Sequence, residues 1–143
     1  MAGIGALDLR IPSDVRQIEA VVAQVVHRCA AHAWDARQLS LNIPVALTEA
    51  LSNAILRGNG EDAAKTVRVR VEFSEREIVV EVEDEGTGFD LEACTEDPTT
   101  PENLEREDGR GLFLMQALVD RVERYRADGN VVRLTLRRKG HAA

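Results

Sequence analysis

A carboxylate and a carboxamide stand four residues apart in the stretch LTEALSNAILRGN, at Glu49 and Asn53. Residues at this spacing share one face of a helix, and Arg57 continues the series four residues further on. A carboxylate can accept a proton, and an amide oxygen can bind Mg²⁺ together with phosphate oxygens and water. The spacing therefore fits either a solvated polar face or a pair that serves a metal-bound phosphate.

A second candidate group follows a predicted strand, in the run EVEDEGTGFD. Alternation along the strand places Asp84 on the same face as Val82, so its carboxylate is expected to point inward. A buried carboxylate is costly unless donors reach it, and an amino group on a ligand would be such a donor. Gly86 and Gly88 follow and would let the backbone approach a ligand closely, although such turns also end strands that bind nothing.

A second glycine pair, Gly109 and Gly111, opens the last predicted helix in EDGRGLFLMQALVD. The free N–H groups and the dipole of a helix N-terminus favour an anion, and Arg110 could add a charge-assisted contact. A flexible loop exit would use the same residues. Taken together, the three signals are the parts of a nucleoside triphosphate site, and the chain has no GxxxxGKS/T motif, so the site is not a P-loop.

Composition narrows the class of protein. The 143 residues, 44% of them hydrophobic, fit one domain with one core, and the net charge of −7 argues against binding nucleic acid through its phosphates. No uninterrupted apolar run approaches the roughly 20 residues that span a bilayer, and the N-terminus lacks the apolar stretch of a signal peptide. A cytoplasmic protein is expected. Cys29 and Cys94 lack metal-site spacing and are interpreted as free thiols.

The elements that would position these groups follow from periodicity. An N-terminal edge strand is followed by a helix with Ser13 as its N-cap. A second helix carries Glu49 and ends at Gly58, and it either starts near Asn42 or kinks there because of Pro44.

The second half of the chain is predicted to begin with a hairpin, in which a strictly alternating strand over residues 66–73 is followed by a tight connection and a second strand over residues 78–86. A loop without periodicity, residues 89–108, separates it from a short helix over residues 111–122 and two final strands. The order of elements indicates an α+β two-layer sandwich, with helices on one face of a mixed, mostly antiparallel sheet, in a single domain spanning residues 1–143.

The runs TEALSNAILRGN, VEDEGTGFD and EDGRGLFLMQALVD resemble the N, G1 and G2 boxes of the GHKL ATPase/kinase superfamily, in that order. Over essentially its whole length the chain is similar to the anti-sigma factor serine-protein kinases of that superfamily. The resemblance implies the Bergerat, histidine-kinase-like ATPase fold, with residues 89–108 as the lid over ATP. It also implies these roles: Glu49 as general base, Asn53 as Mg²⁺ ligand, Asp84 as acceptor of the adenine amino group, Gly86 and Gly88 in the adenine pocket, and Gly109, Arg110 and Gly111 around the phosphates.

The function implied by this resemblance is that of an ATP-dependent protein serine/threonine kinase acting as an anti-sigma factor. Its partners would be a sigma factor and an anti-anti-sigma protein with a STAS domain, and it would form a homodimer without contacting nucleic acid or membrane. Two alternatives stay open: the catalytic domain of a histidine kinase, and a module that binds ATP or ADP and sequesters a partner without transferring phosphate. A general base such as Glu49 would be useless to the binding module.

Overall fold

The computed structural model describes residues 3–86 and 107–139, with the backbone alone for residues 3, 4 and 107–110. Five strands within these ranges form one antiparallel sheet, in the order β1-β2-β3-β5-β4. The strands are β1 (Gly3–Pro12), β2 (Thr66–Ser74), β3 (Glu77–Glu83), β4 (Arg121–Arg126) and β5 (Asn130–Arg137). The α-helices are α1 (Ile18–Ala30), α2 (Ile43–Asn53) and α3 (Glu107–Leu118).

The helices cover one face of the sheet, and the alternation of the strands determines which face. The inward positions of β2, β3 and β5 are valine, isoleucine, leucine or phenylalanine, and they are buried against α1, α2 and α3. The core is filled by residues that are almost wholly inaccessible: Val25, Leu47, Leu51, Ile55, Val67, Val69, Val71, Val82 and Met115. This is the α+β two-layer arrangement that the sequence predicted, and β1 is an edge strand as expected.

The opposite face of the sheet is charged. Glu81 at its centre accepts a hydrogen bond from Arg133 at 3.0 Å and forms an ion pair with Arg70 at 3.6 Å. It also accepts a hydrogen bond from the Tyr125 hydroxyl. These contacts hold down the pKa of Glu81, first through the tyrosine hydroxyl and then through the arginines, against the opposing effect of its partial burial. Such a cross-strand network suits a face without helices, and each pair contributes little to stability, typically below about 1 kcal/mol.

The entry into α1 differs from the prediction. The N-cap is Asp14, whose carboxylate accepts from the Arg16 backbone N–H at 2.9 Å and opens a short 3₁₀ turn, Val15–Gln17. Ser13 is used elsewhere: its hydroxyl donates to the Lys65 carbonyl at 2.7 Å and accepts from the Asn59 amide at 2.9 Å. Two adjacent residues could each have capped the helix, and the long-range partners of Ser13 decided which one does.

The helical stretch that carries α2 is longer than an α-helix alone. It runs from Gln38 to Gly58, because a π-turn, Gln38–Asn42, precedes α2 and another, Ala54–Gly58, follows it. Pro44 lies in the first turn of α2, where its missing N–H is tolerated, and the backbone widens just before it. Gly58 ends the stretch, as predicted. By length and composition alone these residues could cross a bilayer, but half of that window is buried inside the protein, as in a core helix.

The last helix begins four residues earlier than predicted. It spans Glu107–Leu118, so Glu107 and Asp108, predicted as the end of the lid, are helical, and Val122 belongs to β4 instead of to the helix. The two glycines near its start have low helix propensity and therefore favoured a loop in the prediction. In the structure these residues are helical, and the helix packs against α2. The rest of the predicted lid, residues 89–106, lies outside the described residues, as do Gly88 and Cys94.

Candidate active site

Asp84 lies directly after β3 with its carboxylate turned to the helical side of the sheet. Its side chain is 3% exposed, and its Oδ1 accepts from the backbone N–H of Gly86 at 2.8 Å, the backbone N–H of Asn130 at 3.3 Å and the Asn130 side-chain amide at 3.1 Å. Burial raises the pKa of Asp84, while these hydrogen bonds and the charge of Arg126 act in the opposite direction. The inward-pointing acid of the sequence prediction is therefore confirmed, and the protein supplies donors to one of its oxygens.

Three glycines make room around this carboxylate. A Cβ at Gly58 would lie 1.9 Å from Oδ2 of Asp84, one at Gly86 would lie 2.0 Å from the Gly58 carbonyl oxygen, and one at Gly129 would lie 1.6 Å from the Asp84 carbonyl oxygen. A side chain at Gly86 or Gly129 would collide with backbone, and one at Gly58 would have to displace the Asp84 carboxylate. The sequence predicted close approach of Gly86 to a ligand, and here its backbone lies against that of Gly58, which was interpreted only as a helix stop.

Asn59 ties the end of the long helical stretch to the residue after Asp84. Its side chain is buried, donates to the Thr66 carbonyl at 2.9 Å and accepts from the Glu85 backbone N–H at 2.7 Å. Glu85 in turn accepts from the hydroxyl and the backbone N–H of Thr66. These bonds fix the backbone on both sides of Asp84. Sequence reasoning missed Asn59, since its only local signal is an asparagine beside a helix C-terminus, which is common.

Glu49 and Asn53 form the second half of the site. A Cβ added to Gly111 would lie 3.0 Å from Oε2 of Glu49 and 3.1 Å from Nδ2 of Asn53, so α3 passes close to both side chains because residue 111 has no side chain of its own. Asn53 is 9% exposed, and its Nδ2 has no hydrogen-bond partner among the described residues. A buried amide that the fold leaves incompletely satisfied is unusual and indicates a site for a ligand.

Arg57, which the sequence predicts to lie in line with Glu49 and Asn53, belongs to the π-turn Ala54–Gly58. It is exposed, whereas Asn53 is buried. The same π-turn carries the chain from Asn53 at one half of the site to Gly58 at the other.

The predicted phosphate-binding glycines lie within α3 and not before it. The backbone of Gly109 and Arg110 is helical, in the first turn of α3, and Gly111 follows in the same helix. A helix N-terminus is therefore present where an anion was predicted, but the placement of phosphates at Gly109, Arg110 and Gly111 stays a prediction. Gly111 lies close to the side chains of Glu49 and Asn53.

The residues present suit ATP with Mg²⁺. No group of three or more histidine, cysteine, aspartate or glutamate side chains within residues 3–86 and 107–139 could hold a metal ion by itself. Mg²⁺ commonly takes one or two protein ligands and completes its shell with phosphate oxygens and water, which a single amide such as Asn53 would satisfy. Asp84 offers a buried acceptor for an exocyclic amino group, as adenine would present.

Comparison with known proteins agrees with this geometry. The model of the histidine kinase-like ATPase domain matches residues 11–136. The anti-sigma F factor of Clostridium perfringens is 31% identical over 100 residues, which cover 68% of this chain and 71% of that protein. The corresponding protein of Clostridium novyi is 29% identical over 100 residues, covering 68% and 69%.

The serine-protein kinase RsbW of Staphylococcus aureus is 26% identical over 138 residues, which cover 90% of this chain and 84% of that protein. The residues that match the family model include all three helices and strands β2 to β5, apart from the last residue of β5. They also include Glu49, Asn53, Asp84 and Gly111. The chain therefore belongs to the histidine kinase-like ATPase family, in its branch of anti-sigma factors and serine-protein kinases.

Proposed function

We propose that the protein is an ATP-dependent serine/threonine kinase and anti-sigma factor, which binds a sigma factor and phosphorylates an anti-anti-sigma protein. The observation that carries the kinase part is the adjacency at Gly111, where a carboxylate oxygen of Glu49 and the buried amide of Asn53 lie side by side. Asp84 would hold the adenine amino group at the other end of the same helical stretch. The partners are inferred from the names of the similar proteins, an anti-sigma F factor and a serine-protein kinase.

In the proposed reaction, Glu49 accepts the proton of a serine or threonine hydroxyl on the partner. The hydroxyl oxygen forms a bond to the γ-phosphorus of ATP, the bond from that phosphorus to the β–γ bridging oxygen breaks, and ADP leaves. Asn53 would hold Mg²⁺, which when bound neutralises charge on the phosphates. Glu49 is partly buried, which would hold its carboxylate near the reacting groups.

We also infer where the protein acts and which oligomer it forms. An anti-sigma kinase that acts on transcription would work in the cytoplasm, and we infer that it forms a homodimer, as expected for this branch of the family. Sedimentation of the purified chain would test the dimer, since a monomer at micromolar concentration would contradict it. Neither point is needed for the assignment of the nucleotide site.

A binding module without catalysis is the second candidate, because the similar clostridial proteins are named for anti-sigma activity alone. The test is to incubate the protein with γ-labelled ATP, Mg²⁺ and a candidate anti-anti-sigma protein. Label on a serine or threonine of the partner supports the kinase. Tight ATP binding without any transfer, under conditions where the partner binds, would favour the module. Pull-down of the sigma factor with ATP and with ADP would then identify the nucleotide state that binds it.

A further inference from the structure

The side-chain amide of Asn130 is held in one orientation by two charged residues. Its Nδ2 donates to the Asp84 carboxylate at 3.1 Å, and its Oδ1 accepts from Nη1 of Arg126 at 3.0 Å. The reversed amide would turn its oxygen toward a carboxylate and its NH₂ group toward a guanidinium, so both contacts would become repulsive. Arg126 and Asp84 together therefore determine which end of the Asn130 amide faces the site.

The same guanidinium nitrogen also holds the turn that follows Asp84. Nη1 of Arg126 donates to the carbonyl oxygen of Gly86 at 3.2 Å, and the N–H of Gly86 donates to Oδ1 of Asp84 at 2.8 Å. Of the three donors to this oxygen among the described residues, one is the N–H of Gly86 and the other two belong to Asn130. One arginine thus contacts both residues that donate to the acid.

Arg126 is not placed there to stabilise the core. It is exposed at the end of β4, an edge strand, and its two hydrogen bonds within the described part of the chain go to uncharged oxygens, whereas Arg133 on the neighbouring strand bonds the carboxylate of Glu81. An exposed arginine would gain more from a carboxylate than from two amide oxygens. The position of Arg126 is therefore best explained by its hydrogen bonds to Asn130 and Gly86.

We propose that Arg126 is a positioning residue for recognition of the adenine amino group. It fixes the Asn130 amide and the Gly86 turn, these hold Oδ1 of Asp84 through protein donors, and Oδ2 accepts from the amino group of the ligand. This inference rests on the proposed nucleotide site. Arg126 acts through Asp84 and touches neither the phosphates nor the metal.

The test compares two nucleotides that differ only at the amino group. ATP carries it, and purine riboside triphosphate has a hydrogen in its place. Dissociation constants for both are measured by calorimetry on the full chain and on the variants Arg126→Met and Arg126→Lys, with Arg121→Met as the matched control. Arg121 lies on the same strand, is highly exposed and pairs only weakly with Glu123 at 3.5 Å, so its loss should change neither constant.

The wild type should bind ATP more tightly than the analogue. Arg126→Met should weaken ATP binding about fivefold and leave binding of the analogue unchanged, because only ATP uses the oriented carboxylate. Arg126→Lys should recover part of the loss, since an ammonium group can donate to one of the two oxygens. Equal weakening for both nucleotides, or no change for either, would overturn the inference while leaving the nucleotide site intact. A wild type that binds both nucleotides equally would overturn recognition by Asp84 itself, and this inference with it.

Discussion

Gly58 lies so close to Asp84 that a Cβ on it would be 1.9 Å from Oδ2 and 2.3 Å from Cγ of the carboxyl group. The end of the helical stretch that starts at Gln38 and the end of β3 therefore meet at the acid that is proposed to read adenine. A glycine that the sequence indicates as a helix stop is in the structure packed against the carboxylate of the proposed nucleotide site.

Replacing Gly58 by alanine should lower ATP affinity at least tenfold, because the methyl group must displace the carboxylate, at a cost of at least about 1.4 kcal/mol in binding. The backbone at residue 58 is helical, so alanine itself is compatible with the conformation. Titration calorimetry with ATP would measure the loss. Leu56→Ala, a change of an exposed residue in the same π-turn, is the control and should bind ATP as the wild type does.

Asp84→Asn should keep the fold and weaken ATP binding by about 10- to 100-fold, since a charge-assisted hydrogen bond to the amino group is lost. An unchanged affinity would mean that the acid does not contact the base. Fluorescence titration with a labelled ATP analogue, alongside circular dichroism to verify folding, would distinguish lost binding from lost structure.

The same variant should reveal the raised pKa of Asp84. Burial places the folded pKa above the ordinary value of 3.8, so the folded state holds the proton more strongly than the unfolded state. The contribution of Asp84 to stability is then fully present below pH 3.8 and is lost as the pH rises through the folded pKa. Urea denaturation from pH 4 to pH 7 should show Asp84→Asn gaining stability relative to wild type with rising pH. A constant or falling difference would contradict the assignment.

Glu49→Gln should retain ATP binding within about twofold and reduce phosphate transfer by about 10²- to 10⁴-fold, the usual contribution of a general base. Glutamine has nearly the same shape but cannot take the proton. The transfer rate to the anti-anti-sigma partner and the ATP dissociation constant are measured on the same preparation. Parallel loss of both would show that Glu49 serves to bind nucleotide instead.

Gly111→Ala should separate stability from activity. Alanine in a helix is usually favoured over glycine by up to about 1 kcal/mol, and the new Cβ would press on Glu49 and Asn53 at 3.0 and 3.1 Å. Because the Glu49 side chain can move aside, thermal stability should be unchanged or higher while phosphate transfer falls. A variant that unfolds at lower temperature and transfers phosphate normally would refute the placement of α3 against α2.

Cys29 should be unreactive in the folded protein. It is a free thiol with no exposed surface, and burial raises its pKa to about 12, so almost no thiolate forms at pH 8. In a Cys94→Ser background, a thiol reagent should label the chain only as fast as it unfolds, and urea should accelerate labelling. Rapid labelling without denaturant would show that α1 opens away from the sheet.

The fold followed from the sequence where one signal was dominant. Strict alternation over β2 and β3 gave the hairpin and the inward direction of Asp84, and periodic apolar positions gave α1 and α2. Element ends were less well determined. Ser13 and Asp14 could each cap a helix, and the glycines at 109 and 111 disfavour a helix that contact with α2 nevertheless maintains.

For the candidate site, the sequence predicted the residues that carry a charge or a metal-binding oxygen. It did not predict the residues that support them. Glu49, Asn53 and Asp84 stood out because an apolar pattern makes a polar residue visible. Gly58, Asn59, Gly129 and Arg126 gave no such signal, because their roles depend on contacts between segments distant in sequence. A single sequence cannot show those contacts, nor could it show the π-turn that follows Asn53.

The π-turn between Asn53 and Gly58 holds one residue more than an α-turn would. Its widened hydrogen bond runs from the Asn59 N–H to the Ala54 carbonyl at 2.9 Å. Because the extra residue is taken up within a single turn, its removal would leave an ordinary α-turn of about the same rotation, and Gly58 would stay beside Asp84. The connection between the two parts of the candidate site therefore tolerates the loss of one residue.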